Sequence, residues 1–291
     1  MTGISYNLSG KLDSSLVEVL QVVNQVATTL GIRFFMVGAM ARDIVLEYCH
    51  AIRPARGTRD LDIGVEVTGW NEFQRLSDAL LATGKFAAAQ EPQSFRADLY
   101  RVDIVPFGGV AEGQGKISWP PEHEVFMSTM GFQEAYESAM TLRLSDQPVL
   151  DVKVPTIPGM VLMKVISWHD RYPERPKDAE DLLFLMDHYA GAGNEERLFE
   201  KEDELLQAED FDLVMAGIRL LGRDMGAIGS DSTGEAVAAI LKNEIGEQHR
   251  YRLVQDMIKG ARIFDEFNET LEKLKKLAQG VNEGFHNKRS A

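Results

Sequence analysis

Two aspartates one residue apart, Asp60 and Asp62, open the stretch Asp60-Leu61-Asp62-Ile63. In an extended strand alternate side chains share a face, so the two carboxylates project together while Leu61 and Ile63 point to the other side. Paired carboxylates at this spacing suit a hard divalent cation. Mg²⁺ is characteristically held by one or two carboxylates together with substrate phosphates. A third carboxylate, Asp103, interrupts the apolar run Val102-Asp103-Ile104-Val105. A buried aspartate must be paired or metal-bound, so Asp103 either forms an ion pair with Arg101 or Arg96 or joins Asp60 and Asp62. Three carboxylates can hold two cations, and two cations clamp the attacking and leaving oxygens of an in-line phosphoryl displacement.

Further residues fit the same chemistry. The apolar run Phe34-Phe35-Met36-Val37 ends in Gly38-Ala39. Two residues this small allow a phosphate chain to come close to the backbone at a helix N-terminus. Lys164 sits inside Met160-Val161-Leu162-Met163-Lys164-Val165-Ile166. A lysine in such a run either snorkels to water or is aimed at an anion. Asp178 and Asp181, in Lys177-Asp178-Ala179-Glu180-Asp181-Leu182, lie on one helix face. Alone they read as favourable acidic charge in a first helical turn. Together with Lys164 they read as one side of a phosphate site.

These groups need elements to carry them. Residues 14–30 form an amphipathic stripe (Leu16, Leu20, Val23, Ala27, Leu30), with Asp13 or Ser14 as cap and Gly31 as stop. A short strand over 33–37, a helix over 39–49, an arginine-rich loop over 52–58 and a strand over 60–67 follow. A helix over 70–82 is closed by Gly84. Residues 100–105 read as a strand that Pro106, Gly108 and Gly109 end, and Trp119-Pro120-Pro121 as a turn. Residues 139–144 and 149–154 read as a hairpin around Asp146-Gln147-Pro148. Beyond Pro155 and Pro158 the patterns are helical, over 159–169, 177–189, 212–221, 233–241 and 249–277, with an acidic helix and loop over 194–210. The layout predicts an α/β domain over 1–155, a mixed sheet with flanking helices, and a mainly helical domain over 156–291.

Composition narrows the class. The chain has 291 residues, 44% hydrophobic and 26% charged, as globular proteins do. It offers no apolar run long enough to cross a bilayer and no signal-peptide pattern at its start. The single cysteine, Cys49, excludes an internal disulfide framework. These features point to the cytoplasm. A formal net charge of −14 disfavours a grip on extended nucleic acid, while leaving room for a local basic patch that docks a short end.

The order Gly38-Ala39, Asp60-Leu61-Asp62, Asp103 resembles the nucleotidyltransferase superfamily. With Lys164 and Lys177-Asp178-Ala179-Glu180-Asp181-Leu182, it is similar to the AbiEii toxin branch of type IV toxin–antitoxin systems. The likeness runs from about Phe34 to Tyr189. It implies transfer of a nucleoside monophosphate from an NTP to a hydroxyl, with release of pyrophosphate and dependence on Mg²⁺ or Mn²⁺. It implies Asp60, Asp62 and Asp103 as catalytic metal ligands. Gly38, Ala39 and Thr58 would meet the nucleotide, with Lys164, Lys177 and Asp178 from the helical domain contributing. Ala39 stands where many members carry Ser or Gly, which removes a hydroxyl from the phosphate's path. The implied partners are an NTP, an acceptor that is a short RNA end, a protein or a small molecule, and an antitoxin protein. The alternative is a catalytically silent nucleotide- or partner-binding protein on the same scaffold. His169-Asp170 lacks the further ligands of a metal phosphohydrolase. Gly57-Thr58-Arg59 replaces the long strand that precedes a glycosyltransferase Asp-x-Asp. Cys49-His50 lacks the orienting group of a nucleophile pair.

Overall fold

The computed structural model describes residues 3–54, 57–121, 123, 126–259 and 265–290. The chain divides into two compact units, Met1–Thr156 and Ile157–Ala291. The first contains β1 (Tyr6–Asn7), α1 (Ser14–Leu30), β2 (Arg33–Val37), α2 (Gly38–Ile44), β3 (Asp60–Glu66), α3 (Trp70–Ala82), β4 (Ala87–Ala88), β5 (Ser94–Ala97) and β6 (Tyr100–Phe107). After these come β7 (Lys116–Ser118), β8 (Phe126–Ser128), α4 (Phe132–Glu137), β9 (Met140–Asp146) and β10 (Val149–Val154).

The central sheet has the order β2-β3-β6-β5-β4. β3 and β6 run parallel and the other neighbours antiparallel. β9 and β10 form the expected antiparallel hairpin, with β1 added parallel to β9. On one face of β3 and β6, Leu61, Ile63, Val65, Val102 and Ile104 are fully buried. The opposite face carries Asp60, Asp62 and Asp103, and further along it Gly64. A Cβ on Gly64 would lie 2.3 Å from the Phe35 ring. Phe35 packs edge-on against Phe107, Phe132 and Tyr136. Aromatic rings thus fill the far part of this face, and the carboxylates occupy the end that stays open.

Local signals explain the elements. The Asp13 side chain accepts from Leu16 N and caps α1, and Gly31 closes it in the left-handed region at φ 71°. The helix after Gly38 does not run regularly to Cys49. It widens into a π turn over Val45–Cys49. Pro106 does not end its strand, because β6 extends to Phe107. β5 pairs only with Tyr100–Asp103, so at Pro106 the strand has one neighbour, and a missing N–H is tolerated at such an edge. The loop expected near Glu91-Pro92 is the tip of the β4–β5 hairpin. Part of the arginine-rich loop over 52–58 lies outside the described residues.

The second unit is helical throughout its described part. It comprises α5 (Ile157–Asp170), α6 (Pro176–His188), α7 (Glu195–Glu200), α8 (Asp203–Ala208), α9 (Leu213–Ile228), α10 (Asp231–Glu244), α11 (Arg252–Met257) and α12 (Asp265–Ser290). The helix expected over 249–277 is divided between α11 and α12, and residues 260–264 within it lie outside the described part. No helix among the described residues is long and apolar enough to cross a membrane.

Candidate functional site

β2 ends at Val37, which pairs in register with Asp62 on β3. Gly38 then opens α2 at φ +74°. A Cβ built on Gly38 would meet Asp62 Oδ2 at 2.0 Å. This position is closed to any side chain twice over, by its backbone conformation and by the carboxylate pressed against its Cα. Gly38 and Ala39 are both half-buried. The structure therefore brings Gly38 and Asp62 into direct contact, with Ala39 next in the chain.

Asp60 and Asp62 share a face of β3, and the parallel pairing with β6 sets Arg101 beside Asp60 and Asp103 beside Asp62. Neighbouring strands lie about 4.8 Å apart, so the three carboxylates form one patch. Asp60 is exposed, while Asp62 and Asp103 are half-buried. The Asp60 N–H donates to Thr58 Oγ1 at 3.0 Å. The Thr58 hydroxyl thereby braces the start of β3.

Asp103 takes the ion-pair alternative through Arg101, whose Nε donates to Asp103 Oδ1 at 3.2 Å. Ser94, its register partner on β5, donates to the same oxygen at 2.5 Å. The other end of the Arg101 fork donates to Glu91 at 2.5 Å. The Asp103 charge does most to hold the Arg101 guanidinium protonated, with Glu91 and Asp60 adding to it. The site is thus a carboxylate row with one fixed cation on its β5 side.

Hard oxygen donors are the right chemistry for Mg²⁺ or Mn²⁺. Among the described residues, no group of three His, Cys, Asp or Glu side chains is gathered closely enough to hold an ion alone. Asp60 and Asp62 fit the usual magnesium arrangement, in which carboxylates supply part of the shell and substrate phosphates the rest.

Lys164, Lys177 and Asp178 belong to the second unit. Lys164 Nζ lies 3.2 Å from Asp178 Oδ1 and 2.7 Å from Asp181 Oδ2. Ser167 Oγ donates to Asp178 Oδ2 at 3.0 Å. All three charged side chains are largely buried, with 11%, 14% and 9% exposure. The anion that faces Lys164 is this carboxylate pair. Lys177, at the second position of α6, is exposed.

Sequence reasoning missed the bracing of Asp103 by Ser94. It also missed Arg42 and Asp43 on α2, a buried pair with Arg42 Nε 2.7 Å from Asp43 Oδ1. The available signal was an Arg-Asp step inside an otherwise apolar helix just after Gly38. Cys49 is half-buried, and burial pushes its thiol up to about 11, which removes it as a nucleophile at neutral pH.

The family model described as nucleotidyl transferase AbiEii toxin, Type IV TA system, matches residues 22–266. No curated protein matches the chain in sequence. Among solved structures, the antibiotic-resistance factor ANT(2'')-Ia is 12% identical, covering 68% of this chain and 98% of that one with a TM-score of 0.37. The Thermotoga maritima CCA-adding enzyme complexed with tRNA is 12% identical, covering 97% and 84% with a TM-score of 0.32. The CdnE c-di-GMP synthase from Capnocytophaga granulosa is 12% identical, covering 95% and 81% with a TM-score of 0.29.

Proposed function

The chain belongs to the nucleotidyl transferase AbiEii toxin family, and from that premise we propose that Asp60, Asp62 and Asp103 carry a metal-dependent transfer of a nucleoside monophosphate from an NTP to a hydroxyl acceptor. The observation that supports this reading is the register of β3 against β6. It sets Asp62 beside Asp103, while the pairing of β2 with β3 on the other side brings Gly38 against the Asp62 carboxylate, where only a glycine fits.

In the proposed reaction the acceptor oxygen forms a bond to the α-phosphorus as the bond to the bridging oxygen of pyrophosphate breaks. Asp60 and Asp62 would hold the divalent cation jointly with the triphosphate. The cation, when bound, neutralises charge that develops on the phosphate oxygens. The Gly38-Ala39 backbone approaches the phosphates without a side chain in the way. Asp103, oriented by Ser94 and Arg101, stands where the acceptor hydroxyl loses its proton. The family resemblance assigns Lys164, Lys177 and Asp178 to nucleotide use, but Lys164 and Asp178 are paired with each other, so Lys177 alone is proposed to meet the nucleotide.

The test is pyrophosphate release with each NTP and Mg²⁺ in the presence of cell extract as a source of acceptor. We expect Asp60→Ala and Asp62→Ala to abolish release while circular dichroism stays unchanged. Full activity in either variant would defeat the assignment. A protein that binds NTP yet never releases pyrophosphate with any acceptor would be the silent binder instead. The toxin reading adds that expression should arrest growth, that Asp60→Ala should relieve the arrest, and that a co-expressed antitoxin protein should restore growth to the wild type.

A further inference from the structure

Beside the carboxylate row, the first unit holds a second feature that the transfer reaction leaves unused. It is an open cleft of about 490 Å³ between α3 and the β4–β5 hairpin. One wall is aromatic. Trp70 and Trp119 have ring centroids 5.2 Å apart, and Phe73 packs edge-on against both. Phe73 and Trp119 are buried and fixed, while Trp70 is partly exposed. The remaining lining includes Asn71, Gln90, Glu91 and Ser94.

This combination selects among ligands. A hydrocarbon would satisfy the rings but offer nothing to the amides of Asn71 and Gln90 or to Glu91, whose carboxylate already accepts from Arg101 and Ser94. A phosphate would meet Glu91, an anion. A flat heterocycle with a π face and an edge of N–H and C=O groups satisfies both kinds of wall, and bases stack on aromatic side chains whatever their sequence. Glu91 accepts from donors such as an exocyclic amino group. The volume falls in the range of ordinary small-ligand sites.

The cleft also shares its wall with the carboxylate row. Ser94 donates to Asp103, and Glu91 holds the far end of the Arg101 fork that grips Asp103. We propose that this cleft binds a nucleobase, and that its occupancy is transmitted to Asp103 when the base draws on Glu91 and loosens the Arg101 clamp. The coupling rests on the assignment of Asp103 to nucleotidyl transfer, whereas the binding does not. The base has two sources, a free nucleoside or the end of a single-stranded oligonucleotide, and both share this chemistry.

Tryptophan emission tests the binding without reference to activity, because two of the three tryptophans line the cleft. Adenosine, guanosine, cytidine and uridine are titrated into the full chain without NTP or metal, and single-stranded ribotrinucleotides are titrated in parallel. We expect saturable quenching by at least one base, weakened about tenfold or more by Trp70→Leu and unchanged by Asp60→Ala. Tighter binding of the trinucleotide identifies a strand end as the source, and equal binding identifies the free nucleoside. Absence of quenching, quenching that survives Trp70→Leu, or equal quenching by inorganic polyphosphate overturns the base site. Where quenching is present, Glu91→Gln should weaken it and, at saturating nucleoside, abolish any effect of the nucleoside on pyrophosphate release. A nucleoside effect that persists in Glu91→Gln overturns the coupling. Loss of quenching in an enzyme still dependent on Asp60 sinks this inference alone, and quenching in an enzyme indifferent to Asp60 sinks the transfer assignment alone.

Discussion

Gly38 is where one atom decides the outcome. Its φ of +74° and the 2.0 Å approach of Asp62 to any added Cβ act together. Gly38→Ala would pay about 1–2 kcal/mol for the left-handed backbone alone, and it would also displace a carboxylate of the proposed metal pair. The expected result is a loss of nucleotidyl transfer of at least a hundredfold, with a much smaller fall in the unfolding midpoint. A variant that unfolds but, while folded, keeps full turnover would show that Asp62 tolerates displacement. Cys49 supplies a pH-dependent test. Its thiol is pushed up from the ordinary 9.0 to about 11 by burial, so the folded state keeps a proton that the unfolded chain loses earlier. The stability from that proton is present below pH 9 and is lost as pH rises through 11. Alkylation of the native protein by iodoacetamide should accordingly be slow at pH 8 and accelerate towards pH 11. Fast modification at pH 8 would contradict the buried, neutral thiol.

At the scale of elements, periodicity and punctuation made α1, β2, β3, α3 and the β9–β10 hairpin legible, because each has a clear apolar repeat and a capping or turn residue at its end. The β4–β5 hairpin was not legible. β4 is only Ala87–Ala88, too short for any period. The π turn at Val45–Cys49 has no sequence signal that we recognise. Asp60, Asp62 and Gly38 stood out from the sequence because alternation and small size are local properties. Of the partners of Asp103, Arg101 lies on the same strand and was readable, whereas Ser94 comes from β5 and was not. Asp178 and Asp181 were read beside Lys164, but as one side of a phosphate site rather than as its ion-pair partners. Lys164→Met tests that pairing. It removes the ammonium that lies 3.2 Å from Asp178 and 2.7 Å from Asp181, and removing one member of a buried ion pair costs about 3–5 kcal/mol. Urea unfolding of this variant should show a clear drop in midpoint. An unchanged midpoint with impaired NTP use would instead place Lys164 on the nucleotide. A second seam joins α9 to α12. Cβ atoms on Gly280 and Gly284 would lie 2.0 and 2.1 Å from the carbonyl oxygens of Arg219 and Arg223, and Cβ atoms on Gly222 and Gly226 would lie 2.4 and 2.6 Å from the α12 backbone. The paired Gly-x-x-x-Gly spacings at 222/226 and 280/284 were there to be read as a close helix contact. Arg219 and Arg223 both reach Glu283 across this seam, so the glycines bring backbones together and the ion pairs fix their register.

For the whole molecule, charge constrains the acceptor. The chain carries 45 acidic against 31 basic residues, a net charge of −14. Enzymes that track nucleic acid through its backbone release counterions, and six to ten phosphate contacts lose about 10³–10⁵ in affinity between roughly 50 and 200 mM salt. A net charge of −14 opposes such a grip for the chain as a whole, and Arg101, a cation beside the proposed site, is already paired with Asp103 and Glu91. For the proposed acceptor we therefore expect recognition of a docked end through local charge, shape, stacking and hydrogen bonding rather than an extended phosphate grip. The expected result is that labelling of the acceptor from a labelled NTP in extract falls by less than about tenfold over that salt range. A fall approaching a thousandfold would require an extended phosphate grip that this net charge opposes. It would also move the search for the acceptor from a docked end to a long strand.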